Sequence, residues 1–310
     1  MAAAEAALPQ ELLSVTLPVI VGPTASGKTE VAAAVAEAMD GEIVVADSRQ
    51  VYRRLEIATN KPSAEMRRRL SFHLLDVCEP DQHFNVAEFM RLAAFAIADI
   101  RGRGRLPVVE GGSMLYVDAL TDGFSLAGVP PQPSRRRQLE AMSQDELGDL
   151  LRRLDPAARV DLANRARLVR AIEILEVAGP PLSRLRTRRK PDWEAARVGI
   201  SVDREQLYRR LEMRSREQVA NGLVEETRRL LESGVPDTAP ALGGIGYREA
   251  VAHLRGRLSA DQLVSRIAQA NRNYARRQLT WLRKDGRIRW FEAGPDLAPR
   301  ILGFLEEQLS

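Results

Sequence analysis

The residues able to do chemistry begin at Gly22–Thr29, GPTASGKT, which satisfies G-x-x-x-x-G-K-[ST] at every fixed position. Glycines in such a loop let backbone N–H groups turn inward around a phosphate, and a following helix adds its positive N-terminal end. On that reading Gly22, Pro23, Thr24, Ala25, Ser26 and Gly27 form a cradle, Lys28 reaches the outer phosphate oxygens, and the Thr29 hydroxyl holds Mg²⁺. The motif defines a ligand class, a diphosphate or triphosphate, without saying which bond breaks. Asp47, in DSRQVY, is the next candidate. A carboxylate there can take a proton or hold Mg²⁺, or it can cap a turn or helix. Arg167 and Arg170 are three apart, and Arg210 and Arg214 four apart, on helical stretches, so the members of each pair lie on one face. Guanidinium forks suit phosphate oxygens. For Arg167 and Arg170 a solvated face is the alternative. In NRNYARRQLTWLRK, Arg276, Arg277 and Arg283 interleave with Tyr274 and Trp281. That pattern suits RNA, and it equally fits a surface helix with two core-facing aromatics.

These residues need elements to position them. An apolar strand pattern, Val15–Val21, leads into the phosphate loop, and a small-residue helix pattern, Val31–Met39, leaves it. Further strands are expected at Glu42–Ala46, Phe72–Val77, Leu106–Glu110, Ala195–Val202 and Arg287–Glu292, with helices such as Asn85–Ile100 and Ala260–Lys284 between them. Such alternation predicts an α/β fold, a P-loop NTPase-like parallel sheet core. Loops after the strand ends form the ligand crevice in such folds, which puts Asp47 on the same edge as the phosphate loop. Glu110 stands where most P-loop NTPases hold Mg²⁺ with an Asp. The chain then turns to Gly111-Gly112, unlike an ordinary ATPase, and the two glycines allow close backbone approach to a ligand or neighbour. Lys61, before a proline, is read as a phosphate contact or a surface lysine, His73 as structural, and Arg101–Arg105 as a solvated connector.

Gly128–Ser134 is proline-rich, Arg135–Glu176 is helical throughout, and the basic run Arg184–Pro191 closes this region. The expected organisation is a first core part at 15–129, an inserted all-helical domain at 130–192, and a second core part at 193–310 carrying a C-terminal RNA-binding helix. Residues 1–14 read as a loose leader.

The sequence has 310 residues, a net charge of +4, one cysteine (Cys78) and three histidines. These exclude an internal disulfide and leave no Cys/His metal cluster. Neither a membrane-spanning apolar run nor a secretory signal is present, so a cytoplasmic protein without a membrane partner is expected. Lysine occurs only at 28, 61, 190 and 284, so the basic character is almost wholly arginine.

Taken together, GPTASGKT, DSRQVY, TNKP, FHLLD, GGSMLY, ARLVRAIE, GIGYREA and NYARRQLTWLR resemble, in order, the tRNA dimethylallyltransferases (tRNA isopentenyltransferases). The resemblance implies transfer of a dimethylallyl group from dimethylallyl diphosphate to N6 of the adenosine 3′ to the anticodon, in tRNAs reading codons that begin with U. It implies Mg²⁺ as cofactor and an anticodon stem-loop gripped by the helical insertion; the chain is expected to act as a monomer. It gives Gly22–Thr29 the diphosphate, Asp47 the role of general base, and Arg210 and Arg214 further diphosphate contacts. Lys28, Thr29 and Arg210 join Asp47 in the catalytic set. Contacts to tRNA fall to Asp47, Ser48, Arg49, Gln50, Ser113, Arg135 and the strip Ala166, Arg167, Leu168, Val169 and Arg170. The chain departs from the family pattern at Asn60, Phe72, Ser113 and Arg165. Other readings of the phosphate loop are a small-molecule or nucleotide kinase, a non-catalytic RNA-binding nucleotide switch, and an enzyme prenylating free adenine nucleotides. The basic helical insertion argues for RNA.

Overall fold

A computed structural model describes residues 16–123, 129–130, 132–179, 181–182, 191 and 193–309. The expected loose leader and nearly all of the basic run Arg184–Pro191 lie outside the described residues. In chain order the first elements are β1 (Leu17–Val21), α1 (Lys28–Ala38), β2 (Gly41–Val45), α2 (Ala64–Arg69), β3 (Phe72–His73), α3 (Val86–Gly102), β4 (Leu106–Gly111) and α4 (Met114–Asp122). Then come α5 (Pro133–Ala141), α6 (Gln144–Leu154) and α7 (Arg165–Ala178). The chain continues with β5 (Ala195–Ser201), α8 (Arg204–Ala220), α9 (Leu223–Glu232), a short 3₁₀ turn at Pro240–Gly243, α10 (Tyr247–Leu254), α11 (Ala260–Leu282), β6 (Arg289–Glu292) and α12 (Leu297–Leu309). Two compact units result. One is helical and spans Asp122–Pro191; the other, α/β, takes the chain on either side of it.

The six strands form one parallel sheet in the order β3-β2-β4-β1-β5-β6. Side chains of a strand alternate between faces, and β1 shows it: Leu17, Val19 and Val21 join one core, and Ile20 the other. Helices α3 and α4 cover the first face, and α1 and α12 the second. Covering both faces is what makes the central strands uniformly apolar. The run expected as a six-residue strand at Phe72–Val77 pairs over only two residues. Leu74 and Asp76 adopt left-handed φ values of 68° and 56°, which end the extended backbone at this edge of the sheet. Helix α12 carried no sequence expectation; Leu297, Ile301 and Leu305, four apart, bury its apolar stripe.

At the N-terminal ends of β2 and β4, Glu42 is a buried carboxylate (2% exposed). Arg103 grips it through two nitrogens, one of them at 2.9 Å, while His73 lies 2.7 Å and Arg105 2.6 Å away. The segment read as a solvated connector, and the histidine read as structural, thus neutralise one buried charge. The Arg103 hydrogen bonds, helped by His73 and Arg105, outweigh burial and hold the Glu42 carboxyl at about 2. A depressed carboxylate pKa stabilises the fold above the unfolded value and loses that contribution as pH falls through the folded one. Glu42→Gln is therefore expected to destabilise the protein by about 3 kcal/mol at pH 7. The gap to wild type should narrow as the pH falls from 4.5 towards 2. Urea unfolding of both proteins at neutral and acidic pH checks this; a gap that does not change with pH would contradict the assignment.

Candidate active site

The phosphate loop leaves β1 at Val21. Gly27 sits at φ 87°, a left-handed conformation that glycine adopts at no steric cost, and hands the chain straight to α1 at Lys28. Side chains from two distant helices hold this loop. From α11, the Gln278 carbonyl oxygen accepts from the Thr24 N–H at 2.9 Å, and the Gln278 amide donates to the Gly112 carbonyl at 2.8 Å. From α8, Arg214 donates to the Thr24 hydroxyl at 3.2 Å and Arg210 to the Ala25 carbonyl at 3.4 Å. The two arginines placed on one helix face by their spacing thus both meet the loop. Thr24, Ala25, Gly27, Lys28 and Thr29 line a cavity of 380 Å³ whose walls also include Asp47, Arg214, Tyr274 and Gln278.

Asp47 follows β2 on the same edge of the sheet. Its Oδ1 accepts from the N–H groups of Arg49 at 2.7 Å and Gln50 at 3.3 Å. One oxygen therefore performs the turn role that sequence offered as the alternative; the other takes no hydrogen bond among the described residues. The turn is pinned to the start of α4. Gly111 lies so close to Ala46 that a Cβ there would stand 2.2 Å from the Ala46 carbonyl oxygen, so only glycine fits. Ser113 accepts from the Ser48 N–H at 2.8 Å and donates to the Ser48 hydroxyl at 3.2 Å. Expected as an RNA contact, Ser113 is buried and its hydroxyl is spent on the Asp47 loop, which makes it a positioning residue. Gln50 is also buried and donates to the carbonyls of Thr59 and Asn60. Arg49 is exposed and donates to the Pro240 carbonyl at 3.0 Å.

Lys61 departs from both roles that sequence allowed it. Its ammonium is 1% exposed and donates to Tyr52 O, Glu56 and Asp76 at 2.8, 3.0 and 2.6 Å. All three protons are used within the fold, so it is neither a surface lysine nor a free phosphate ligand.

Sequence reasoning noticed Glu110 but assigned it nothing. It is the penultimate residue of β4, opposite Ile20 of β1, and is 1% exposed. Its Oε1 stands 3.4 Å from the Thr29 hydroxyl, while Oε2 is buried without a hydrogen-bond partner among the described residues. Burial pushes this carboxyl up to about 7 against the pull of Lys28, and the charges of Asp47 and Glu30 add to the rise. Gln278, which clamps the phosphate loop, was also missed; nothing in its sequence neighbourhood distinguishes it from an ordinary helix glutamine.

A second cavity, of 290 Å³, is lined by Asp47, Ser48, Arg49, Asn60, Arg248, Asn271, Tyr274 and Arg277 among others. It shares Thr24, Asp47, Thr59, Asn60 and Tyr274 with the first. Tyr274 donates to the Gly112 carbonyl at 3.2 Å, and burial pushes its phenol up to about 12. The Arg277 guanidinium lies over its ring, 5.6 Å from the centroid, a cation–π distance. Arg276 and Arg283 are exposed on α11 and just beyond it. Trp281, partly exposed, donates to Asp118 at 2.7 Å.

Within the helical unit, several expected RNA contacts have other roles. Leu168 and Val169 are core residues of this unit, packed with Leu139, Leu147, Leu151 and Ile172. The 3.6-residue period turns them inward, so their side chains cannot meet RNA. Arg170 is half-buried, donates to the Val129 carbonyl at 2.6 Å and faces the fully buried Glu173. Arg135 is paired through two nitrogens with Glu176, at 2.9 and 2.7 Å. Ala166 and Arg167 are exposed. Arg165, a departure from the family pattern, donates to the carbonyls of Glu140 at 2.8 Å and of Met142, closing the end of α5.

A phosphate loop at the C-terminal edge of a parallel sheet, with a carboxylate between it and a second, basic and aromatic cavity, defines a P-loop group-transfer protein. Comparison with known proteins makes this specific. The chain belongs to the IPP transferase family, whose model matches residues 50–285. It is 43% identical over 279 residues to the tRNA dimethylallyltransferase of Thermomicrobium roseum, covering 88% of this chain and 85% of that one. It is 45% identical over 285 residues to the tRNA dimethylallyltransferase of Geobacter metallireducens, covering 89% and 92%. Among solved structures, the full-length tRNA isopentenylpyrophosphate transferase of Bacillus halodurans superposes with a TM-score of 0.73 at 33% identity, covering 95% of this chain and 96% of that one. No described helix is long and apolar enough to cross a membrane.

Proposed function

We propose that this protein transfers a dimethylallyl group from dimethylallyl diphosphate to N6 of the adenosine 3′ to the anticodon, in tRNAs reading codons that begin with U. The observation that carries the reading is the position of Asp47, in the wall of both cavities. The phosphate-loop cavity takes the diphosphate; the cavity lined by Arg49, Arg248, Tyr274 and Arg277 takes the adenosine, which must leave its stack to be reached. The allylic C–O bond breaks, diphosphate departs with its electron pair, and carbon gains positive charge. N6 attacks that carbon, and its proton passes to the Asp47 carboxylate. Backbone N–H groups of the loop, Lys28, Arg210 and Arg214 stabilise the charge that gathers on the leaving oxygens.

Mg²⁺ fits the donors present: Thr29 offers a hydroxyl, and Glu110, whose Oε1 lies 3.4 Å from that hydroxyl, has its other, buried oxygen unpartnered among the described residues. When bound, the ion neutralises charge on the diphosphate. The enzyme is expected to work as a monomer in the cytoplasm.

Incubation with labelled dimethylallyl diphosphate, and separately with ATP, with and without tRNA, tests the reading. Label appearing in tRNA supports it; ATP turnover with a small acceptor and no labelled tRNA would sink it. The strip on α7 gives a second test. With Arg170 committed inside the helical unit, Arg167 is the side chain of that pair left for a phosphate. Arg167→Ala should weaken tRNA binding and reduce the slope of log affinity against log salt by about one unit, leaving diphosphate affinity unchanged. An unchanged slope would make Arg167 part of a solvated face.

A further inference from the structure

Among the residues that line both cavities, Thr59 and Asn60 come from the segment Glu56–Asn60, which lies outside any helix or strand. An irregular segment keeps one shape only when its backbone groups find partners elsewhere. Here they do so in succession. Glu226 of α9 accepts from the N–H groups of Glu56 at 3.2 Å and Ile57 at 3.3 Å. Tyr247, the first residue of α10, donates its hydroxyl proton to Glu226 at 2.5 Å and accepts from the Ala58 N–H at 3.3 Å. Three consecutive N–H groups thus end on one carboxylate–phenol pair. Gln218 of α8 donates to the Asn60 side-chain oxygen at 3.1 Å, and Gln50 donates to the carbonyls of Thr59 and Asn60.

Packing alone does not call for this pair. Tyr247 is 1% exposed, and a phenylalanine would bury the same ring with no hydroxyl to satisfy. Gly246, at φ 92°, brings the start of α10 so near that a Cβ there would stand 2.5 Å from the Ala58 Cβ, which seats the helix end directly on the segment. Asn60 holds a φ of 51°, a left-handed conformation uncommon outside glycine. The chemistry at the junction explains why the segment is held so firmly. As the allylic C–O bond breaks, the carbon gains positive charge, and water beside it would compete with N6. Attack by water would give dimethylallyl alcohol, with the electron pair of the broken bond leaving on diphosphate and the water proton passing to solvent. A site that transfers rather than hydrolyses must keep water from that carbon.

We propose that Tyr247 and Glu226 are a positioning pair that fixes Glu56–Asn60 as the wall where the two cavities meet, and so excludes water from the reacting carbon. Tyr247 lines the second cavity, but its hydroxyl is committed to Glu226 and Ala58, so it acts through the segment. The proposal rests on the transfer reaction above and adds how the site avoids hydrolysing its donor.

The test incubates dimethylallyl diphosphate, labelled in the prenyl group, with an anticodon stem-loop. Label is measured in RNA and in dimethylallyl alcohol for wild type, Tyr247→Phe and Glu226→Gln. Wild type should give labelled RNA and little alcohol. Tyr247→Phe keeps the ring, and should raise the ratio of alcohol to RNA product about tenfold, the scale of one lost hydrogen bond. It should slow transfer by up to about a hundredfold, the cost of a small displacement at a reacting centre. Affinity for inorganic diphosphate should hold, because the phosphate loop is untouched. In the protein alone, amide hydrogen exchange at Glu56, Ile57 and Ala58 should quicken. A variant that had merely lost stability would slow transfer without moving the ratio. Glu226→Gln keeps the size of a half-buried side chain and an oxygen acceptor; it guards against a folding defect at the buried Tyr247, and its ratio should rise in the same direction. An unchanged ratio in a folded variant overturns the proposal, as does wild-type protein that releases alcohol as its main product. Wild-type protein that yields neither labelled RNA nor alcohol overturns the transfer reading itself, and this proposal with it.

Discussion

Asp47→Asn should slow single-turnover transfer to an anticodon stem-loop by about 10²–10⁴-fold, the usual cost of losing a general base. The substitution isolates that role. Oδ1 of Asp47 takes the N–H groups of Arg49 and Gln50, and the amide oxygen of Asn accepts those bonds as well, since Asn caps as effectively as Asp. The close approach of Gly111 to Ala46 and the Ser113–Ser48 bonds, which fix the turn, do not involve the side chain. Binding of tRNA and of dimethylallyl diphosphate should change far less than the rate. A carboxylate that mainly held Mg²⁺ would give a different result: raising Mg²⁺ would restore much of the activity. Measured across a range of Mg²⁺, a rate within about threefold of wild type at any concentration would refute the general-base role.

The fold was legible because its signals are local. Strand β1, the glycines of the phosphate loop and the start of α1 occupy one short stretch, and six apolar runs separated by helical patterns leave a parallel α/β sheet as the simplest solution. Asp47 was legible for a related reason: in such sheets a strand end is a place on the ligand edge. The missed features depend on distance in sequence. Gln278 lies 254 residues from Thr24, and no spacing rule connects them. Arg135 and Arg170 carry the right chemistry for RNA, but the sequence does not show that Glu176 and the Val129 carbonyl claim them. Leu168 and Val169 show the limit of carrying over a contact strip as a run of consecutive residues: on a helix such a run passes through the core face as well as the surface. Lys61 errs the same way, since only the fold brings Asp76 and Tyr52 around its ammonium. Glu110 was visible as an unusual acid at a strand end, yet its burial and its unpartnered oxygen belong to the packed structure alone.

Lys28→Ala is expected to lower the single-turnover rate by about 10²–10³-fold, the scale of removing one preorganised donor from a developing negative charge. Lys28 opens α1 and lines the phosphate-loop cavity with Thr29, Asp47 and Arg214. Its ammonium gains most when the allylic C–O bond breaks and charge gathers on the departing diphosphate, so the rate should suffer more than ground-state affinity. Affinity for the diphosphate should still fall, because a charged phosphate contact is lost. The fold should survive, since alanine is the best helix former and the position is the first of the helix. One consequence lies inside the protein. Lys28 is a favourable charge acting on Glu110, while Asp47 and Glu30 repel it, so the alanine variant removes that attraction and keeps the repulsion. Lys28→Arg separates the two effects: it keeps the positive charge beside Glu110 but replaces a compact ammonium by a broad planar fork. Stability close to wild type in the arginine variant, with the rate still strongly reduced, would locate the loss in diphosphate geometry. The measurements are thermal melting, binding of dimethylallyl diphosphate, and label transfer in a single turnover. A folded Lys28→Ala protein that transfers within about threefold of the wild-type rate would show that the diphosphate does not leave from this loop.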